Sequence, residues 1–268
     1  MTPAEHFQAG DLTEAIRGAT EAVKADPTDT SARSLMAQML CFSGELERAD
    51  SHLDAIGQQD PMAAVGAALV RHLIRGEQAR QQCFHEGRVP ELLQDPSPHM
   101  KLHLEALICL REEKHAEAAD LLGQAEELRP RLSGSCNGDD FDDFRDLDDR
   151  TAGFLETLTS DGKYYWVPMD RIEVIEFKKP EKSLDLLWQP AHMVVEGGPD
   201  GDVYLPVIYA GSHAHDDDQL RLGKATEWTE TDGGPVRGIG QRVLLVGEND
   251  LPVLQIHNLT FTTQDATD

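Results

Sequence analysis

Ser133–Pro168 reads SGSCNGDDFDDFRDLDDRTAGFLETLTSDGKYYWVP, and the chain changes character across it. Before it, signals of helical hairpins recur. After it, short apolar alternations are separated by turn residues. Seven of the eleven residues from Asp139 to Asp149 are aspartate. Phe141, Phe144 and Leu147 recur at every third position within that run, giving it one apolar edge. Such spacing predicts a short helix or 3₁₀ turn docked on the protein rather than a loose tail.

Upstream, Asp26-Pro27, Asp60-Pro61, Asp95-Pro96 and Arg129-Pro130 mark the chain at steps of 34, 35 and 34 residues. Gly10 and Gly44 are 34 apart, as are Ala15 and Ala49, and Ala118 lies 69 beyond Ala49. A period near 34, with small residues at helix crossings and Pro closing each unit, is the mark of tetratricopeptide-type hairpins. Within units the helical period holds: Leu12, Ala15, Ile16, Ala19 and Val23 share one face, and so do Leu46, Ala49, Leu53 and Ile56. The third unit has no central turn, so Met62 to His85 is expected as one long helix. Such hairpins bury their faces only by stacking, which leaves a groove suited to an extended peptide or an amphipathic helix.

Downstream, the Asp-Gly turn at Ser160–Lys163 predicts a hairpin that leads into Tyr164-Tyr165-Trp166-Val167-Pro168. Further strands are expected at 172–175, 191–195, 202–210, 225–229, 242–246 and 253–261, with a helical turn at Ser183–Leu187. The fold class is therefore α+β in two domains, tetratricopeptide-like helical repeats followed by a mainly antiparallel β-rich domain. The expected boundaries are 1–132, an acidic connector at 133–150, and 151–268.

With 24 Lys/Arg against 49 Asp/Glu, the net charge is −25. Residues 1–130 carry 12 against 22 and residues 131–268 carry 12 against 27, so both halves repel a phosphate backbone and nucleic acid is not expected as a partner. An acidic surface favours a basic partner. No run of 18 apolar residues suggests a membrane span, and the start MTPAEHFQAGD is no secretory signal. Cys41, Cys83, Cys109 and Cys136 form no CxxC pair, and a cytoplasmic location with reduced thiols is expected.

No catalytic constellation, cofactor motif or metal site is expected. Against the calcium-loop template, a start at Asp146 puts Thr151 where Gly belongs and Thr157 where Glu belongs; a start at Asp140 puts Phe144 at a ligand position. His213 and His215 precede Asp216–Asp218, but the segment has the composition of a flexible loop and lacks a third spaced ligand. His99 and His103 lie at i, i+4 without the glutamate of a zinc protease, as packing or surface residues. Gly238-Ile-Gly240-Gln241-Arg242 enters a strand and lacks the Lys-Ser/Thr of a phosphate loop. Trp166, Trp188 and Trp228 are expected mainly in cores, with an interface role open for Trp228 near Arg221. The competing reading is a metal-dependent or hydrolytic enzyme using the Asp-rich connector or the His213/His215 loop. A third is a structural scaffold whose β domain drives homo-oligomer formation.

Several strings, taken in order, resemble the ImpE family, also called TagJ or SciE-type proteins. They are Ala9-Gly10-Asp11-Leu12, Leu40-Cys41-Phe42 with Glu47-Arg48-Ala49-Asp50, and Asp146-Leu147-Asp148-Asp149-Arg150. Tyr164–Pro168 with Arg171-Ile172, Leu186–Pro190, Thr226-Glu227-Trp228 and Gly238–Arg242 complete the series. Gly153 is followed by Phe154, where the family carries Pro. The resemblance implies a non-enzymatic accessory protein of bacterial type VI secretion. It implies binding to the N-terminal helix of the small contractile-sheath subunit, and a link to the AAA+ ATPase that disassembles the sheath. Phe141, Phe144, Asp146, Asp148, Arg150, Trp166, Trp188, Arg221 and Trp228 are the candidate partner-binding or interdomain residues.

Overall fold

The structure, a computed structural model, describes residues 1–262. Its first half is helical: α1 (Pro3–Ala9), α2 (Leu12–Ala25), α3 (Thr30–Phe42), α4 (Leu46–Gln59), α5 (Ala64–His85), α6 (Pro98–Arg111) and α7 (His115–Leu128). Side-chain caps start several of them. Thr2 and Glu5 form a reciprocal capping box on α1, and Asp11 and Asp29 accept backbone N–H groups at the starts of α2 and α3. Each such cap contributes about 1 kcal/mol. The Asp-Pro pairs hold the turns between units: Asp26 accepts from Thr28 N at 2.9 Å and Asp60 from Met62 N at 2.8 Å. The third unit is the long helix expected, α5, of 22 residues.

Gly10 and Gly44, the repeat-phase glycines, take φ of 90° and 75° at the inter-helix turns. The corresponding turn of the last hairpin lies 69 residues beyond Gly44, at Glu113, which adopts φ 60° without being a glycine. A left-handed conformation costs an L residue roughly 1–2 kcal/mol, so that turn carries local strain.

The second half is built of β1 (Gly134–Cys136), β2 (Asp139–Phe141), β3 (Phe144–Asp146), β4 (Phe154–Leu158), β5 (Tyr164–Pro168), β6 (Ile172–Phe177), β7 (Trp188–Val195) and β8 (Asp200–Pro206). A short helix α8 (Asp218–Arg221) precedes β9 (Thr226–Glu230), β10 (Val236–Gly240), β11 (Val243–Val246), β12 (Asn249–Pro252) and β13 (Asn258–Phe261). Every strand pairing is antiparallel, in an eight-stranded sheet ordered β2-β1-β13-β6-β7-β8-β4-β5, a β9–β10 pair, and a β12-β11-β3 sheet. The predicted β4–β5 hairpin forms, with Gly162 at φ 87° in its turn, and a 3₁₀ turn occupies Ser183–Leu186.

The acid run departs from expectation. Instead of a helix docked by Phe141, Phe144 and Leu147, residues 134–146 form three strands, with a 3₁₀ turn only at Asp149–Thr151. The cause is local: Asn137-Gly138 adopts φ 54° and 94°, closing a two-residue hairpin between β1 and β2. Phe141 and Phe144, tilted to each other, then both pack edge-on against Phe261, with ring centroids 5.1–5.8 Å apart. Because β1 pairs with β13 and β3 with β11, the segment expected as a connector is woven into the sheets of the second half.

One buried apolar cluster runs from Phe7 through the helices to Phe261 in the sheet. The two halves therefore share a core. No helix among the described residues is long and apolar enough to cross a membrane.

Candidate functional site

Helix α5 is the seam. Its positions 73, 77, 80 and 84 follow the helical period of a buried face, yet two of them are charged, and Glu77 and Arg80 are buried with Leu73 and Phe84. Arg80 grips Glu156 of β4 with two hydrogen bonds of 2.9 Å each, donates to the Ile208 carbonyl at 2.9 Å, and meets Glu77 at 3.2 Å. Glu77 accepts from the Trp188 indole N–H at 3.1 Å. Glu156 also accepts from Tyr164 OH at 2.5 Å, and that hydroxyl accepts from Trp166 Nε1 at 2.7 Å.

Arg242, entering β11, bridges Glu156 to Asp146, with Nη1 donating to Asp146 Oδ2 at 2.6 Å. Asp146 further accepts from Tyr209 OH at 2.7 Å, Asp148 N at 2.9 Å and Thr151 Oγ1 at 3.0 Å. Asp148 holds Arg150 at 2.6 Å and the Gly238 N–H at 3.0 Å, and the Arg150 guanidinium lies 5.3 Å from the Phe84 ring centre on α5. Burial alone would raise the Glu156 carboxyl, but Arg80 and Arg242 outweigh it and bring the group down to about 2. At Asp146 the balance is reversed: burial, reinforced by Asp148, lifts the carboxyl above its usual range despite Arg242. Such a network is held by geometry: every charge removed from water needs its partner in place.

A second edge of contact runs along the solenoid turns. A Cβ on Gly44 would lie 2.4 Å from His213, and one on Gly10 would lie 2.2 Å from Gln219. The repeat glycines thus admit side chains from the 211–224 segment, which is not the flexible loop expected. It forms a 3₁₀ turn at Ser212–Ala214 and helix α8, and burial lowers the His213 pKa. His215 accepts from Asp217 N at 3.0 Å. Among the described residues, no group of three or more His, Cys, Asp or Glu side chains is placed to hold a metal ion. His99 and His103 are buried beneath Gly153, where the Phe154 ring meets His103 edge-on at 5.3 Å.

Of the nine candidate residues, Asp146, Asp148, Arg150, Trp166 and Trp188 come together in this buried network, while Phe141 and Phe144 lie in the adjacent aromatic cluster. Arg221 instead pairs with Asp218 at 2.7 Å. Trp228 is 42% exposed, its ring edge-on to Tyr209 at 5.9 Å. Sequence reasoning missed Glu77, Arg80, Glu156, Tyr209 and Arg242. The available signal was charge in the wrong phase: Glu77 and Arg80 fall on the apolar stripe of α5, and Glu156 interrupts the apolar strand Phe154–Leu158.

Open depressions lie along the helical half. Three depressions, of about 460, 530 and 600 Å³, are joined pairwise by Leu35 of α3, Val70 of α5 and Lys182, each of which lines two of them, so they form one continuous groove. Helices α1, α3, α4 and α5 line one side; in the 530 and 600 Å³ depressions the β6–β7 connection, residues 178–187, lines the other, joined in the larger by residues 222–224.

Comparison with known proteins agrees with this architecture. The family model described as "ImpE protein" matches residues 138–260, and a tetratricopeptide repeat model matches residues 6–73. The chain is 30% identical over 267 residues to the type VI secretion system accessory component TagJ of Pseudomonas aeruginosa, covering 99% of this chain and 93% of that protein. It also superposes on the crystal structure of protein VPA1032 from Vibrio parahaemolyticus with a TM-score of 0.91, at 30% identity and 98% coverage of both chains.

Proposed function

The chain belongs to the ImpE/TagJ family, and from that premise we propose that it is a non-enzymatic accessory protein of a type VI secretion system, acting as an adaptor. Its partner in this reading is a helical segment of the small contractile-sheath subunit, and through it the protein links the sheath to the disassembly ATPase. Both partners would be met in the cytoplasm.

The observation that carries the reading is the open, apolar-lined concave groove, beside a second half bound along the solenoid's turns and α5. Grooves between stacked helices take amphipathic helices or extended peptides and do no chemistry of their own. The buried acids and arginines, by contrast, are paired with one another, which suits holding two halves together rather than turning over a substrate. Titration calorimetry of the full chain with a peptide spanning the sheath subunit's N-terminal helix tests the proposal. Saturable one-to-one binding is expected; absence of heat and of any shift in melting temperature would sink it.

A further inference from the structure

The far wall of the groove gathers lysines in an otherwise acidic molecule. Only eight of the chain's residues are lysine, and four of them, Lys178, Lys179, Lys182 and Lys224, line this groove. Lys178 is paired with Asp202 at 2.8 Å, and Lys224 donates to the Gln8 carbonyl. Lys179 and Lys182 are exposed and have no carboxylate within 4.0 Å among the described residues. The wall's own acids are Glu181 and Asp185, and Asp185 is occupied in accepting the backbone N–H groups of Glu181 and Lys182.

The opposite wall is apolar and helical. It presents Leu35 of α3 and Leu69, Val70 and Leu73 of α5. The backbone groups of α3 and α5 are spent within their own helices, so an extended peptide would find no ladder of partners on them. A helix brings its own hydrogen bonds satisfied and needs only side-chain contact.

We infer that the groove between α3, α5 and the β6–β7 connection takes an amphipathic helix with an acidic flank. Its apolar stripe packs on Leu35 and Val70, and its carboxylates face Lys179 and Lys182. The inference rests on the adaptor reading and specifies the chemistry of its ligand. It runs against the molecule's net charge of −25, which on its own favours a basic ligand. At physiological salt, charges more than about 8 Å away are largely screened, so the groove wall prevails over the distant surface.

The test uses the full chain and two designed helical peptides of about fifteen residues, long enough for four turns. Both carry the same leucine stripe, flanked by glutamate in one and by lysine in its twin. Fluorescence anisotropy is expected to show the Glu-flanked peptide binding about tenfold tighter, with a gap that narrows as salt is raised. The Lys179→Glu/Lys182→Glu variant should invert the order, and Val70→Glu should weaken both peptides; unchanged melting temperatures confirm that the variants fold. Equal binding, tighter binding of the Lys-flanked twin, no binding of either, or an order unmoved by the double substitution would each overturn the inference. The sheath-subunit peptide runs alongside as a separate arm. Its failure while the Glu-flanked peptide binds rejects the sheath partner alone; its binding while the designed pair shows no preference rejects the acidic-flank inference alone.

Discussion

Replacing Glu156 by Gln isolates the central contact between the two halves. Glu156 is buried between two guanidinium groups, those of Arg80 and Arg242. The amide keeps the shape and one acceptor but removes the charge, leaving two buried cations with only Glu77 and Asp146 as counter-charges. Breaking a buried pair in this way costs about 3–5 kcal/mol. A second route gives the same size. The Glu156 carboxyl lies at about 2 instead of 4.5, and at roughly 1.4 kcal/mol per tenfold change this amounts to about 3 kcal/mol of folding free energy at neutral pH. Against the ~5–15 kcal/mol of a typical domain, such a loss is large.

The sign with pH follows from the direction of the shift. The fold lowers this carboxyl, so its contribution is complete above the unfolded value of 4.5 and disappears as pH falls toward 2. Urea titration followed by tryptophan fluorescence is the direct assay, because the indoles of Trp166 and Trp188 belong to the same network. The wild type should lose about 2.4 kcal/mol more than the Gln variant between pH 5 and pH 2.5. A variant that loses under 1 kcal/mol at pH 7, or that keeps the wild-type acid dependence, would refute the idea that this charge holds the halves together.

Three further outcomes follow from single positions. His103 is buried and its pKa is brought down to about 3 by burial and by the nearby His99. An imidazole depressed in this way stabilises the fold above its unfolded pKa and loses that contribution as pH falls, so wild type should lose about 2 kcal/mol from this site between pH 7 and 5. His103→Leu should flatten that part of the pH–stability curve, and an unaltered slope would count against it. Glu113→Gly removes the left-handed strain of the last hairpin turn and should raise stability by about 1 kcal/mol in urea titration; a loss would contradict the strain. Gly44→Ala places a Cβ against His213 at a left-handed position and should cost about 2 kcal/mol, whereas Gly123→Ala, in open space on α7, should gain about 1 kcal/mol; changes of equal sign in calorimetric melting would undo the contrast.

The solenoid was legible because its signal is periodic. Asp-Pro pairs, turn glycines and crossing alanines repeat at one interval, and each has a local cause that needs no knowledge of the rest of the chain. The β half was legible in part: β1–β3, β10 and β12 were not expected as strands, the start of the strand expected at 253–261 is a 3₁₀ turn, and the sheet order was hidden, since antiparallel pairing across more than a hundred residues, such as β1 with β13, leaves no local trace. The acid run misled because Phe141 and Phe144 at a three-residue spacing imitate a helix, while the short Asn-Gly hairpin signal beside them sets the backbone. The network was half visible: Asp146, Asp148, Arg150 and both buried tryptophans stood out, but Arg80 and Glu156, 76 residues apart, become partners only when α5 lies across β4.

A helix receptor benefits from walls that do not move, because each side chain or loop it must order on binding subtracts from affinity. An isolated solenoid of so few repeats, stabilised only by contacts between neighbours, would breathe at its ends. Here the β half removes that freedom in two ways. His213 and Gln219 sit against the hairpin turns of the first two units, and Arg80 ties the long helix α5 to β4. The same half then supplies the lysine wall facing the solenoid. A buried ionic seam suits this role better than a purely apolar one, because charges tolerate few alternative registers whereas methyl groups slide. The cost is sensitivity to the loss of any one partner, and the Glu156 substitution puts that cost to measurement.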